Sequence, residues 1–238
     1  MVKIHLLPTV NCELPTENCP LPPELMLQIT HLRKSYGGHL VLQVPSLFLS
    51  EGIHWFKGAN GSGKTTFFRT LAGMLPFEGE IKMYDWDIRK QPIEYRLHIN
   101  YGEAEPDYPE FLTANDLIQF VAQAKRATPN QVQELIQILG IAPFLYQPTG
   151  TYSSGMLKKT SLVLAFLGQP KVIILDEPLI TIDDATVQQV YELVRDYHTR
   201  GVTFLLSSHQ DFRFDALPIK QLFEVKDKMI TEISPSAG

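Results

Sequence analysis

Apolar residues follow two rhythms along this chain, and the changes of rhythm divide it into elements. Leu25–Leu32 and Leu40–Leu49 alternate apolar and polar positions, the two-residue period of strands with one buried face. Gly37-Gly38 lies between them, so the pair predicts an antiparallel layer joined by a turn. Gly52–Phe56 predicts a further strand, and Glu80–Tyr84 and Leu97–Tyr101 two short ones. Lys171–Leu175 and Thr203–Ser207 are nearly continuous apolar runs, as in strands buried on both faces of a parallel sheet. The helical rhythm is strongest in Asp183–Arg200, where Val187, Val190, Tyr191, Val194 and Tyr197 share one side. Thr113–Ala127 reads as a helix with Thr113 as N-cap and Asp116 in the capping-box position. Pro129 takes the favoured first position of the next helix, which Gly140 stops. Leu157–Leu167 is the last helix of this middle stretch.

The pattern predicts an α/β architecture: a mainly parallel sheet, an antiparallel β layer, and a small helical lobe over about residues 102–168. Residues 25–238 form one domain in this reading. Met1–Glu24 differs in kind, since five of the 17 prolines fall there, and is expected to be an irregular extension. At 238 residues and 44% apolar the chain can bury a real core. Net charge is −5 and no basic run occurs, so no nucleic-acid surface is expected. Cys12 and Cys19 sit where they cannot staple the fold, and their spacing fits neither a zinc site nor a redox pair. No apolar run approaches the ~18 residues of a membrane span; Ser161–Leu175 is cut by Gln169-Pro170-Lys171. Met1–Val10 is a poor signal peptide, broken by Pro8. The expected location is therefore cytoplasmic, with any membrane part supplied by another chain.

Chemistry enters with Gly58-Ala59-Asn60-Gly61-Ser62-Gly63-Lys64-Thr65, which reads G-x-x-x-x-G-K-T, the Walker A phosphate loop. Its glycines let several N–H groups converge on one anion. A helix predicted to start at Lys64 adds its N-terminal dipole. Lys64 adds a positive charge near the β- and γ-phosphates, and Thr65 a hydroxyl for Mg²⁺. These eight residues and the following Thr66 are the candidate nucleotide-binding set. Val172–Leu175 then runs into Asp176-Glu177, the Walker B arrangement of a strand tip that holds Mg²⁺. Glu177 is placed to orient and polarise an attacking water. Ligands of such sheets lie beyond the carboxyl ends of the strands, so Asp176 is expected to meet the phosphate loop in space.

From about Leu25 to Ile233 the sequence resembles the ATP-binding cassette (ABC) ATPases, a P-loop NTPase family. Tyr152-Ser153-Ser154-Gly155-Met156 stands in the place of the family signature, usually Leu-Ser-Gly-Gly-Gln. The resemblance implies that Ser153 and Gly155 bind the γ-phosphate of ATP held by an opposite subunit. Tyr152, Ser154 and Met156 depart from the consensus, and the Tyr-Ser-x-Gly-Met form resembles exporter cassettes. His209 resembles the switch histidine that stabilises transferring charge. Asp183 matches the D-loop aspartate, although Leu179-Ile180-Thr181 departs from the common Thr-Ser-Gly. Tyr36 matches the aromatic that stacks on adenine. Where the family has a glutamine, this chain has Ala104, flanked by Glu103 and Glu105.

The resemblance implies an ATP-hydrolysing subunit of a transporter. Its catalytic residues would be Glu177, His209 and Lys64, with Thr65 and Asp176 on Mg²⁺. Its partners would be ATP, an integral membrane subunit, and a second cassette in a head-to-tail homodimer or a pairing with a related subunit. Two other functions share these motifs: a soluble ABC ATPase acting on nucleic acid or ribosomes, and a low-turnover ATP sensor. Tyr108 and Phe111, between the core and the helical lobe, have two readings: exposed and facing the membrane subunit, the reading that the resemblance supports, or packed on the chain's own helical lobe.

Overall fold

The computed structural model describes residues 25–208 and 217–233. Cys12, Cys19 and the proline-rich extension lie outside the described residues, as does His209. The chain runs β1 (Leu25–Tyr36), β2 (His39–Ser50), β3 (Ile53–Lys57), α1 (Lys64–Leu71), β4 (Glu78–Met83) and β5 (Trp86–Asp87). It continues through α2 (Pro92–His98), β6 (Ile99–Gly102), α3 (Ala114–Lys125), α4 (Pro129–Ile138) and α5 (Ser154–Phe166). It closes with β7 (Val172–Leu175), α6 (Asp184–Thr199), β8 (Thr203–Ser208), β9 (Ile219–Lys226) and β10 (Met229–Ile233).

The strands form two sheets. One is antiparallel, in the order β2-β1-β4-β5, and the other has the order β10-β9-β3-β8-β7-β6. In the second, β6, β7, β8, β3 and β9 pair in parallel, and only β10 runs antiparallel to its neighbour. The expected mainly parallel sheet with an antiparallel layer is what the chain adopts. Boundaries moved in places. The residues read as a strand from Leu97 begin with the last turn of α2, which carries Pro92 in its first turn. The strand expected at Glu80 starts at Glu78. Neither α2 nor the hairpin of β9 and β10 was anticipated. α2 is one short helix with a single fully buried side chain, Tyr95, too little periodicity to read.

The parallel sheet is buried on both faces because its strands alternate between two apolar clusters. Ile53 and Trp55 of β3 join the cluster that holds α3, α4, α5 and α6. Phe56, the next residue, points the other way, into the cluster between this sheet and the antiparallel one. There Phe56 stacks on Phe223 of β9 at 4.9 Å and meets Phe68 of α1 edge-on at 5.4 Å. These rings grip both elements that flank the phosphate loop, so the loop hangs between two fixed ends.

His54, on the same strand, is fully buried. Its Nε2–H donates to the Ser50 carbonyl at 2.8 Å, and Nδ1 faces no hydrogen-bond partner among the described residues. Burial therefore pushes its pKa down from 6.5 to about 4. Between these values the unfolded chain binds a proton that the native state refuses. Stability should fall as pH drops through this window, by on the order of 3 kcal/mol for this residue alone. Urea denaturation followed from pH 7 to pH 4.5 should show a shallower loss in His54→Gln than in the wild type.

Candidate functional site

β8 lies between β3 and β7, with Lys57 paired to Ser208 and Leu175 to Leu206. Chain order does not give this neighbourhood; strand order does. It brings the loop after β3 and the carboxylates after β7 to one end of the sheet.

The loop is built for close approach. Gly61 and Gly63 adopt φ of 77° and 110°, a region that side chains disfavour. A Cβ on Gly58 would lie 2.5 Å from the Val225 carbonyl oxygen and 2.7 Å from Ser62 Oγ, so only glycine fits there. Ala59, Asn60 and Gly61 are exposed, Gly63 and Lys64 are buried, and Ser62, Thr65 and Thr66 are half-buried. α1 starts at Lys64, with Gly63 as its N-cap. The Lys64 ammonium donates to the carbonyls of Gly58 (2.7 Å) and Ala59 (3.2 Å). It also stands 3.5 Å from Glu177 Oε1. The loop after β3 thus meets Glu177, whereas the Asp176 side chain is bonded to neighbouring strands.

Asp176 has no exposed surface. Its carboxylate accepts a short hydrogen bond from Ser207 Oγ at Oδ1, and one from the Tyr101 hydroxyl at Oδ2, 3.2 Å away. Burial and the Asp176 charge raise the Tyr101 pKa, which keeps the phenol a donor. Ser207 Oγ also accepts the Glu177 N–H at 3.0 Å. Glu177 has φ of 46°, a left-handed conformation that costs a side-chain-bearing residue about 1–3 kcal/mol. Its surroundings must hold it there.

Lys158 of α5 supplies part of that hold. Its ammonium donates to the backbone carbonyls of Asp176 (2.8 Å), Glu103 (2.6 Å) and Ala104 (3.3 Å). Burial lowers its pKa to about 8, opposed by the nearby carboxylates of Asp176, Glu177, Glu103 and Glu105. The Glu103 side chain is engaged by Arg69 at 3.1 Å, and Glu105 is exposed. Sequence reasoning missed Lys158, Ser207 and Tyr101. Lys158 had a readable signal, a charge on the helix face of Ser161, Leu162 and Ala165, all buried.

The other expected site residues stand elsewhere. Ser153 is exposed and is the N-cap of α5, accepting the Met156 N–H at 3.3 Å. Gly155 packs against the Thr181 carbonyl, 2.7 Å from where a Cβ would sit. Asp183 caps α6 through the Thr186 N–H and pairs with Lys159 at 2.8 Å. Those bonds, Lys159 first, hold its carboxyl well below the usual range. Tyr36 ends β1, 46% exposed, with the Lys34 ammonium over its ring at 4.4 Å. Tyr108 corrects the exposed reading. It is half-buried, burial raises its pKa, and its hydroxyl meets Ser161; Phe111 is 80% exposed.

Residues 45–180 match the family model described as ABC transporter. The chain belongs to this family. It is an ATPase subunit of an ABC transporter, a class that binds ATP and works with membrane subunits. One relative is the cytochrome c biogenesis ATP-binding export protein CcmA of Albidiferax ferrireducens. It is 31% identical over 205 residues, which cover 84% of this chain and 97% of CcmA. Another is YhcH of Bacillus subtilis (strain 168), an uncharacterized ABC transporter ATP-binding protein. It is 28% identical over 221 residues, covering 87% of this chain and 72% of YhcH. A solved structure of an ATP-binding subunit of an ABC transporter superposes with a TM-score of 0.77 at 21% identity, covering 88% of this chain and 90% of its own. At that identity the superposition speaks for the fold. Among the described residues no helix is long and apolar enough to cross a membrane.

Ser207 serves both Asp176 and Glu177, so its loss should be felt twice. Ser207→Ala strands a buried carboxylate oxygen and a backbone N–H. It should lower the unfolding free energy by about 1–3 kcal/mol, measured by urea denaturation.

Proposed function

We propose that ATP is hydrolysed where the loop after β3 meets the carboxylates after β7. The observation that carries this reading is the approach of Lys64 Nζ to Glu177 Oε1, 3.5 Å across two segments more than a hundred residues apart in the chain. In this assignment Gly58–Thr66 bind the triphosphate through backbone N–H groups, and Lys64 holds the β- and γ-phosphates. Thr65 and Asp176 offer a hydroxyl and a carboxylate, hard oxygen donors that suit Mg²⁺. The ion, when bound, neutralises charge on the β- and γ-phosphate oxygens. Glu177 orients a water and accepts its proton at a carboxylate oxygen. His209, which directly follows β8, is assigned to the γ-phosphate on its position in the sequence. Tyr36 stacks on adenine. The Lys34 ammonium lies over the same ring at 4.4 Å.

A second cassette completes the site. Ser153, exposed at the start of α5, and Gly155 are assigned to the γ-phosphate of a partner in a head-to-tail pair. The pair would be a homodimer or include a related subunit. The whole would sit on the cytoplasmic face of a membrane, residues 25–238 acting as one unit with about 102–168 as its helical lobe. The Tyr-Ser-x-Gly-Met signature and the relative whose name includes export support outward transport. Beside Ala104, where the family has a glutamine, Glu103 pairs with Arg69 at 3.1 Å.

Glu177→Gln keeps shape and removes the base. Steady-state phosphate release should fall by about 10²-fold or more while calorimetry finds ATP binding retained. Normal turnover in this variant would refute the assignment.

The membrane subunit is assigned to the surface around Phe111, an exposed aromatic on the segment between β6 and α3. Phe111→Ala should leave ATPase activity of the isolated subunit within about twofold of wild type, because the residue lies outside the nucleotide set. It should reduce the amount of membrane subunit that co-purifies in mild detergent. Undiminished co-purification would move the docking surface elsewhere.

A further inference from the structure

One peptide unit decides where the Glu177 side chain points. The bond between Asp176 and Glu177 carries the Asp176 carbonyl on one side and the Glu177 N–H on the other. Both are held. The carbonyl accepts from Lys158 Nζ at 2.8 Å, and the N–H donates to Ser207 Oγ at 3.0 Å. With both ends pinned the peptide plane cannot swing, and Glu177 stays at its left-handed φ of 46°.

The two anchors come from different parts of the fold. Ser207 belongs to β8, next to β7 in the sheet. Lys158 belongs to α5, which starts within the signature segment, with Ser153 as its N-cap. Lys158 is 1% exposed, and a buried ammonium is tolerable only when its protons are used. Its other two acceptors are the carbonyls of Glu103 and Ala104, just after β6. Ser161, one turn along the same helix, accepts the Glu103 N–H at 3.0 Å. α5 therefore grips both backbone polar groups of Glu103 and, through the same ammonium, the end of β7. The Asp176 N–H donates to the Gly102 carbonyl at 2.9 Å and closes the junction.

We infer that Lys158 is a positioning residue for hydrolysis: it sets the Asp176–Glu177 peptide and so ties the orientation of Glu177 to the seating of α5. The inference rests on the role proposed above for Glu177. A shift at the signature end of the helix would then reach the hydrolytic carboxylate of the same chain through one side chain. Lys158 makes this link without touching the phosphate loop. Its ammonium donates to the carbonyls of residues 103, 104 and 176, and Lys64 alone of the pair donates to the loop.

Lys158→Met keeps most of the unbranched apolar stem and removes the donors and the charge. In the purified full chain, kcat for ATP should fall by about tenfold or more, while the ATP dissociation constant stays within about twofold of wild type. Such a split is what a positioning role demands. A smaller fall in kcat overturns the inference. Parallel losses of kcat and nucleotide affinity also overturn it, since they mark general damage to the fold. If the methionine variant does not fold, Lys158→Gln is judged by the same two quantities. Full turnover in Glu177→Gln would bring down the Glu177 assignment itself. That outcome is read before any Lys158 variant is made.

Discussion

A carboxylate without exposed surface is the constraint around which this site is organised. Asp176 sits at the tip of a strand buried on both faces, where an unmet charge would be costly. Its oxygens are met by Ser207 and Tyr101, from the strands on either side of β7. Tyr101 is reached in turn by Arg69 of α1, which also engages Glu103. Satisfying one buried group thus fixes the ends of β6, β7 and β8 and the helix that follows the phosphate loop. The loop and the carboxylates are brought together by the same bonds that make the burial tolerable.

Packing sets the distances within which this network works. Alternate residues of β3 feed two apolar clusters, so the strand that leads into the phosphate loop is clamped from both faces. One cluster is continuous from α3 and α4 through α5 to the sheet. The helices between β6 and β7 are therefore not bound to the core by polar contacts alone. Lys158 lies where that apolar contact gives way to the polar end of the sheet, and its ammonium answers the carbonyls left there. Interiors are close-packed and transmit displacement rather than absorb it, so a single buried lysine can tie α5 to the turn after β7.

Much of this was readable in advance, for identifiable reasons. The phosphate loop and the strand ending in Asp176-Glu177 are local patterns whose spacing carries its own chemistry. Caps are local too: Thr113 and Asp116 form the expected box, and Thr128 caps α4. The long β1–β2 pair announced itself by alternation. What escaped was short or paired at a distance. α2 has too few turns for a period to emerge, and β9 and β10 take their places through partners such as β3, more than a hundred and fifty residues away. Tyr108 could be read as exposed because a loop sequence gives no sign of Ser161, which lies on another element.

The chain's one-dimensional order determined the class of fold, the family, the phosphate loop and the two carboxylates, because each rests on residues adjacent or regularly spaced along the backbone. It could not determine that β8 lies between β3 and β7, that Ser207 serves both Asp176 and Glu177, or that Lys158 closes on three carbonyls from two separate segments. Those facts depend on strand order and on the face that α5 presents. Both are decided by burying two apolar surfaces at once, and only the folded chain satisfies that condition.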